Sequence, residues 1–550
     1  MEQTRLIIAI ALSFLVFLVW NLLFVDPTPV PPPPRATQDV DTVRPRETPV
    51  TAAPEAPLVT APAETTELPD HPPRIITVHT PLYSVKISET GAMFKSFSLA
   101  RYRETTEPDS PSKDLIPPVL PGGTVMAGFT GGSLENLNRA TFTADLEEDT
   151  LTVQDGPRTV RFSWTAPEGV RFEKVFTFSP MTYLIDMDIA VQNTTAVPIQ
   201  GKMWVSLSDF TPEASRGYGF EGPSALINNS VEQIKIKNIE DQSLYSGILT
   251  WVALQSRYFI TSIIPETPVE ADMKLIEQPD NVVENRLVGP LETVPPNTGL
   301  NHNFDLFFGP KSLQVLSQYE NELDRVVHFG MFDFIAKPCL WLMNFLYSFI
   351  PNYGIAIIIL TTIIKLLLWP LGNKSYKSMN EMKKIQPLMA EIREKYKNDK
   401  KKMNEELMGL YKIYKVNPVG GCLPMVLQIP VFFALYRMLY ESIELRHAPF
   451  VGWINDLSAP DRLFHFDLAI PLMQPPYGIP VLTIIMGATM FLQQKMSPPP
   501  GDPAQAKMMM FMPILFTVIF INFPAGLVLY WLVNNVLSIS QQYYISKKHA

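Results

Sequence analysis

The run YGIAIIILTTIIKLLLW, residues 353–369, decides how the second half of the chain is built. Between Gly354 and Ile364 only Thr361 and Thr362 are polar; Lys365 follows, and four more apolar residues come after it. Such a stretch is long enough to enter about 30 Å of hydrocarbon. A charge at that depth costs about 2.5–3.5 kcal/mol, so it normally faces a protein interior or a water-filled cavity. The opposing reading is snorkelling, since the polar residues near Asn373 are only about 12 Å further on at helical rise and a lysine stem covers part of that. Periodicity leaves the two open. Gln428, between Pro424 and Pro430, and Asn534 with Asn535 favour the cavity, because polar groups on several apolar segments need one another or a shared wet space.

Working outward, the expected membrane segments are 353–371, 423–440, 480–494, 508–523 and 527–546. Two of them, 480–494 and 508–523, are short, which implies locally thinned bilayer. Residues 373–415 carry 12 Lys/Arg against 6 Asp/Glu, and the positive-inside rule puts them in the cytoplasm. Leu388, Ile392 and Tyr396, then Leu407, Leu410 and Tyr414, repeat at helical spacing on either side of Asn398-Asp399. That pattern reads as an antiparallel helical hairpin with a basic outer face, either simply solvated or a docking surface.

Towards the N-terminus, 311–352 is a connector whose stripe Phe332, Ile335, Cys339, Met343, Leu346 and Ile350 suggests a helix lying in the membrane interface. The alternative is a core helix beneath the preceding domain. In 74–310 the period changes to two. Tyr183, Ile185, Met187, Ile189 and Val191 alternate, as do Val160, Phe162 and Trp164, which predicts one large antiparallel β-sandwich or barrel. Residues 26–73 include 14 prolines between Pro27 and Pro73 and read as an extended tether. Residues 1–25 contain an uncharged run, 6–25, without a small-x-small cleavage site, which reads as an uncleaved anchor. Six crossings then leave both termini in the cytoplasm and the β domain outside.

The charge follows this division. Residues 26–330 hold 23 basic and 40 acidic side chains, a net −17, whereas 331–550 hold 21 basic and 13 acidic, a net +8. No domain-wide basic footprint exists for nucleic acid, so DNA binding is not expected. The two cysteines, Cys339 and Cys422, are too few for a disulfide scaffold or thiolate metal site. Gly217, Gly219 and Gly222 satisfy G-x-G-x-x-G but lie between Pro212 and Pro223, with no strand–helix context, and read as a turn-rich loop. Seven dispersed histidines and the lack of a nucleophile motif give no metal, cofactor or enzymatic chemistry. A solute transporter built around Lys365 would call for paired interrupted segments, and an anchored carbohydrate-active enzyme for paired carboxylates; the spacing offers neither.

The motifs NPVGGC (417–422), QIPVFFALYRML (428–439), LRHAPFVGWINDLS (445–458), FLQQKMSP (491–498) and FMPILFTVIFINFPAGLVLYWLVNN (511–535) resemble the YidC/Oxa/Alb membrane protein insertases over about 330–546. With the anchor, tether and β domain, the whole chain is similar to the Gram-negative YidC form. The resemblance implies a mixed fold: an all-α membrane core of five transmembrane helices plus an N-terminal transmembrane anchor, with a periplasmic β-supersandwich. It also implies a monomeric core with a hydrophilic groove, open to the cytoplasm and to lipid. Lys365 falls where the family has a groove arginine, keeping the charge but losing the planar fork. Thr361, Gln428 and Phe432 fall on groove or substrate-path positions, and Trp531 where many relatives have Tyr. The implied activity is insertion and folding of inner-membrane proteins, alone or with the Sec translocon. The implied partners are nascent membrane protein substrates, the lipid bilayer, and the ribosome and signal-recognition targeting factors. Lys383, Lys384, Arg393, Lys400, Lys401 and Lys402 on the hairpin are the expected contacts for the last two.

Overall fold

Alternating apolar residues between 75 and 310 build two packed sheets in a computed structural model that describes residues 73–130, 134–135, 137–211, 219–414, 423–496 and 503–549. The expected anchor and tether, Gly217, Cys422, the 417–422 motif and the side chain of Lys400 lie outside the described residues.

Among the described residues the strands form a five-stranded and a thirteen-stranded sheet. Strand Leu184–Asn193 pairs antiparallel with both Val170–Phe178 and Thr298–Pro310, and its Ile185, Met187, Ile189 and Val191 are all buried. Period 2 therefore reports a half-wet sheet, as expected. One pairing departs from the antiparallel expectation, since Ile75–His79 runs parallel to Thr150–Thr152. The smaller sheet lies over the larger through an aromatic core. Phe94 meets Phe176 at 5.2 Å and Phe308 at 5.6 Å, while Phe97 meets Phe308 at 5.0 Å between ring centroids. Lys174 sits in this core with no exposed surface. Its ammonium donates to the carbonyls of Gly91 (2.9 Å), Ala92 (3.3 Å) and Val125 (3.2 Å), so the buried cation is satisfied by backbone rather than by a carboxylate.

After a single helical turn at Leu313–Leu316 and short 3-10 turns, eight helices follow among the described residues: α1 (Asp333–Phe349), α2 (Tyr353–Leu367), α3 (Trp369–Lys395), α4 (Lys400–Ile413), α5 (Leu423–Glu441), α6 (Val481–Met496), α7 (Pro503–Phe520) and α8 (Ala525–His549). Asn352 starts α2 by accepting from the Ile355 amide at 3.0 Å, and its own amide holds the Phe450 carbonyl at 3.0 Å. Of the stripe expected to lie in the interface, Met343 is buried, Phe332, Ile335, Cys339 and Leu346 are half-buried and Ile350 is exposed; Ala336 and Leu340, beside the stripe, are buried where α1 packs on α2 and α5. A second apolar face, Phe334, Trp341, Phe345 and Phe349, stays exposed. A single-stripe reading missed it because these aromatics follow their own 7–4–4 spacing.

The expected span 353–371 is not one straight helix. The chain bends by 65° between α2 and α3, at Leu368. Pro370 is the cause, because it removes an amide donor and its ring clashes with the carbonyl one turn back. No single helix among the described residues is long and apolar enough to cross a membrane, and this bent pair is the one combination that is. The segment expected at 508–523 is apolar and helical over Met508–Phe520, about 20 Å at helical rise.

The helical hairpin forms as expected, with its turn between Lys395 and Lys400. Its core is Ile385, Met389, Leu407 and Leu410, with Leu388 and Ile392 packed beside them. Tyr414 is exposed, and Tyr396 instead lies under the ammonium groups of Lys395 and Lys402 at 5.5 and 5.8 Å. Asp399 caps α4 by accepting from the Lys402 amide.

Candidate functional site: a polar chain crossing the helical core

Five helices, α2, α3, α5, α6 and α8, bring polar side chains together inside otherwise apolar surroundings. Lys365 occupies the last turn of α2, where a cation suits the helix dipole. Its Nζ does not run outward along the helix but donates to Ser538 Oγ on α8 at 2.6 Å. Ser538 in turn donates to the Asn534 carbonyl at 2.7 Å, which leaves its lone pair for the lysine. One turn earlier, Asn534 Oδ1 accepts from Gln428 Nε2 of α5 at 3.1 Å. Asn535 Nδ2 reaches Thr489 Oγ1 of α6 at 3.3 Å, and the Tyr376 hydroxyl of α3 hydrogen-bonds to Ser538 and Gln493. Further along α8, Gln541 donates to the Trp369 carbonyl and to Asn373 Oδ1, bracing the bend. Among the described residues Ser538 is the one hydrogen-bond partner of Lys365. An ammonium has three donors, so two remain to meet an incoming acceptor.

On the β-domain side of this chain lies an aromatic layer. Phe432 meets Trp531 edge-on at 4.8 Å, and Trp531 meets Phe520 at 5.0 Å and Phe516 at 6.1 Å. Tyr436 and Phe523 extend it at 5.9 Å. The layers follow from helix register. Gln428 and Phe432 are one turn apart on α5, Asn534 and Trp531 nearly one turn apart on α8, and the two helices run in opposite directions, so polar meets polar and ring meets ring.

Of the residues expected in the groove, Lys365 and Gln428 join the polar chain, and Phe432 and Trp531 join the aromatic layer. Thr361 joins neither: it is buried, and its hydroxyl donates to the Ile357 carbonyl of its own helix at 2.6 Å. Ser538, Thr489 and Tyr376 were not anticipated. Ser538 had a signal, since it lies four residues after Asn534 and so on the same helical face. On the hairpin, Lys383, Lys384, Lys401 and Lys402 are exposed and Arg393 is half-buried.

The family model for the 60Kd inner membrane protein matches residues 345–550, and that for the YidC periplasmic domain matches 75–342. A protein of Syntrophus aciditrophicus named membrane protein insertase YidC is 40% identical over 561 residues, covering 99% of each chain. One of Syntrophobacter fumaroxidans with the same name is 41% identical, covering 99% of this chain and 100% of its own. Among solved structures, an active YidC insertase crystal structure with its first transmembrane domain resolved aligns over 86% of this chain at 18% identity, with a TM-score of 0.37.

Proposed function

The chain belongs to the YidC family of membrane protein insertases, and from that premise we propose that it inserts client proteins by way of the polar chain around Lys365. It is an inner-membrane protein with a periplasmic β domain, and it acts on membrane proteins as an insertase, not as an enzyme. The observation that carries the groove reading is the hydrogen-bonded run Lys365–Ser538–Asn534–Gln428, which ties three helices together with polar groups.

In this reading the hydrophilic tail of a substrate enters between α2, α5 and α8 and exchanges water for these side chains. It thereby avoids most of the several kcal/mol that burying bare polar groups in lipid would cost. An acidic group in the tail accepts from Lys365. The membrane potential then draws each negative charge outward with about 2.3 kcal/mol per 100 mV for a full crossing. Phe432 and Trp531 bound the wet region on its outer side, and the apolar part of the substrate leaves past the short α7. No bond is made or broken in any step. The basic hairpin, through Lys383, Lys384, Arg393, Lys400, Lys401 and Lys402, faces the cytoplasm and meets the ribosome or a signal-recognition targeting factor. Both termini are cytoplasmic and the chain acts alone or beside the Sec translocon.

Purified protein in liposomes tests this. A short single-spanning substrate with an acidic tail is expected to become protease-protected faster than in empty liposomes; equal rates sink the reading.

A further inference from the structure

The end of α5 facing the β domain is held by side chains that the groove does not use. Arg257 stands in the tight turn between strands Leu244–Gln255 and Phe259–Pro265, a turn closed by the Ser256 amide on the Phe259 carbonyl. Its Nε and Nη2 both donate to the Tyr440 carbonyl, at 2.9 and 2.7 Å. Its guanidinium carbon lies 3.8 Å from the Tyr440 ring centroid and 4.6 Å from that of Tyr258. Tyr440 is the last residue but one of α5, so this carbonyl is among the four that a helix cannot satisfy itself. A cation there also complements the helix dipole. The turn is fixed in its own right, because the buried Lys311 donates its amide to the Tyr258 carbonyl and its ammonium to the Ser256 carbonyl.

The grip is reciprocal. Just past α5, Glu444 accepts from Ser312 at 3.2 Å, and Arg446 reaches back to the carbonyls of Arg103 and Glu104 at 2.6 and 3.3 Å. All three partners, Ser312, Arg103 and Glu104, belong to the β domain or its exit. Along α5, Phe432 is about 12 Å and Gln428 about 18 Å from Tyr440 at helical rise, in one continuous helix.

We propose that Arg257 is a positioning residue for insertion: through it the β domain fixes the outer end of α5, and with it the separation of α5 from α8 at the polar chain and aromatic layer. This rests on the groove reading above. A β domain that merely hung from its tether would have no need of a bidentate, ring-stacked arginine on a helix end.

The test uses the full-length protein in liposomes with Arg257→Ala and Arg257→Lys. One readout is the insertion rate of the acidic-tailed substrate. The other is the distance distribution between spin labels at Ile429→Cys on α5 and Val536→Cys on α8, both exposed positions, with the native cysteines replaced. Removing two charge-assisted hydrogen bonds is expected to broaden that distribution and to slow insertion by about tenfold. Arg257→Lys keeps a donor for the carbonyl but loses the fork, and is expected to recover part of both losses. An unchanged distribution in Arg257→Ala overturns the proposal, whether or not the rate falls, because a residue that only stabilises the β domain would leave the helices where they are. If Arg257→Ala does not fold, a lysine variant that folds with an unaltered distribution and rate overturns it as well. Should the unsubstituted protein fail to insert the substrate, the groove reading fails, and the spin-label distances still decide whether Arg257 positions α5.

Discussion

Replacing Lys365 separates charge from shape in the proposed path. Its ammonium gives one proton to Ser538 at 2.6 Å and has two to offer a substrate carboxylate. One hydrogen bond to a charged group is worth about 1.5–3 kcal/mol, or about 10- to 100-fold in rate if it forms as the tail enters. Lys365→Met keeps the stem and removes the charge, so insertion of a tail with acidic residues is expected to slow by that factor. The same substrate with those residues changed to Asn and Gln is expected to slow far less. Lys365→Arg keeps the charge and is expected to stay within about threefold of the unsubstituted protein, since one good hydrogen bond suffices and a bidentate pair is not required. The assay is protease protection in proteoliposomes over time. Equal slowing of acidic and neutral tails would mean that Lys365→Met acts by disturbing packing, and no slowing of either would remove Lys365 from the mechanism.

Three further outcomes test the architecture. Burial, with Asp186 and Glu266 nearby, pushes the Asp305 carboxyl up to about 6, so the folded protein keeps a proton there that the unfolded chain releases near pH 4. Stability from this group therefore falls as pH rises from about 4 through 6, and Asp305→Asn is expected to stabilise the fold at pH 7.5 by about 1 kcal/mol after screening, read as a higher thermal midpoint, with the gain shrinking towards pH 4. Lys174→Met strands the carbonyls of Gly91, Ala92 and Val125 between the sheets and is expected to cost about 2–4 kcal/mol, read as a lower unfolding midpoint. A Cβ on Gly487 would overlap the Thr517 hydroxyl across the α6–α7 contact, so Gly487→Val is expected to cost about 1–3 kcal/mol in unfolding measurements and to slow insertion.

Features set by near neighbours in sequence were legible before any coordinates. Ile185 to Val191 had to alternate between core and solvent because a strand has period two, and the hairpin core had to recur at helical spacing. The charge within the apolar run was legible too, since Lys365 breaks that run. The hydrogen-bond partner of Lys365 was not, because Ser538 lies 173 residues away and only helix packing puts it there. The bend at Leu368 was within reach, for Pro370 sits two residues on, yet hydropathy ran straight through it. Lys174 shows the opposite limit. Alternation places it inward with Phe172 and Phe176, but nothing local reveals three carbonyls waiting across the core. The same holds for Arg257 and Tyr440, 183 residues apart, whose contact exists only once both domains are folded.

The order of layers along α8 gives the proposed path a direction. From Ala525 the helix passes Trp531 among its rings, then Asn534, Asn535 and Ser538, then Gln541 and Gln542, and ends near Lys547 and Lys548. Polarity thus rises steadily away from the β domain, and α5 repeats the order in reverse with Phe432 and Gln428. Water and a polar tail can follow such a gradient from the hairpin side as far as Lys365 with hydrogen-bonding groups at each turn. Beyond Asn534 and Gln428 the layer of Phe432, Phe516, Phe520 and Trp531 offers a tail few groups to bond with, so in the proposed path continuing outward costs free energy that the membrane potential must offset. A seal of this kind needs no gate, because its barrier is the price of desolvation and falls only for tails that carry the right sign of charge. Helix ends fixed by Arg257 and the Asn352 cap would keep that barrier at constant thickness while the substrate passes.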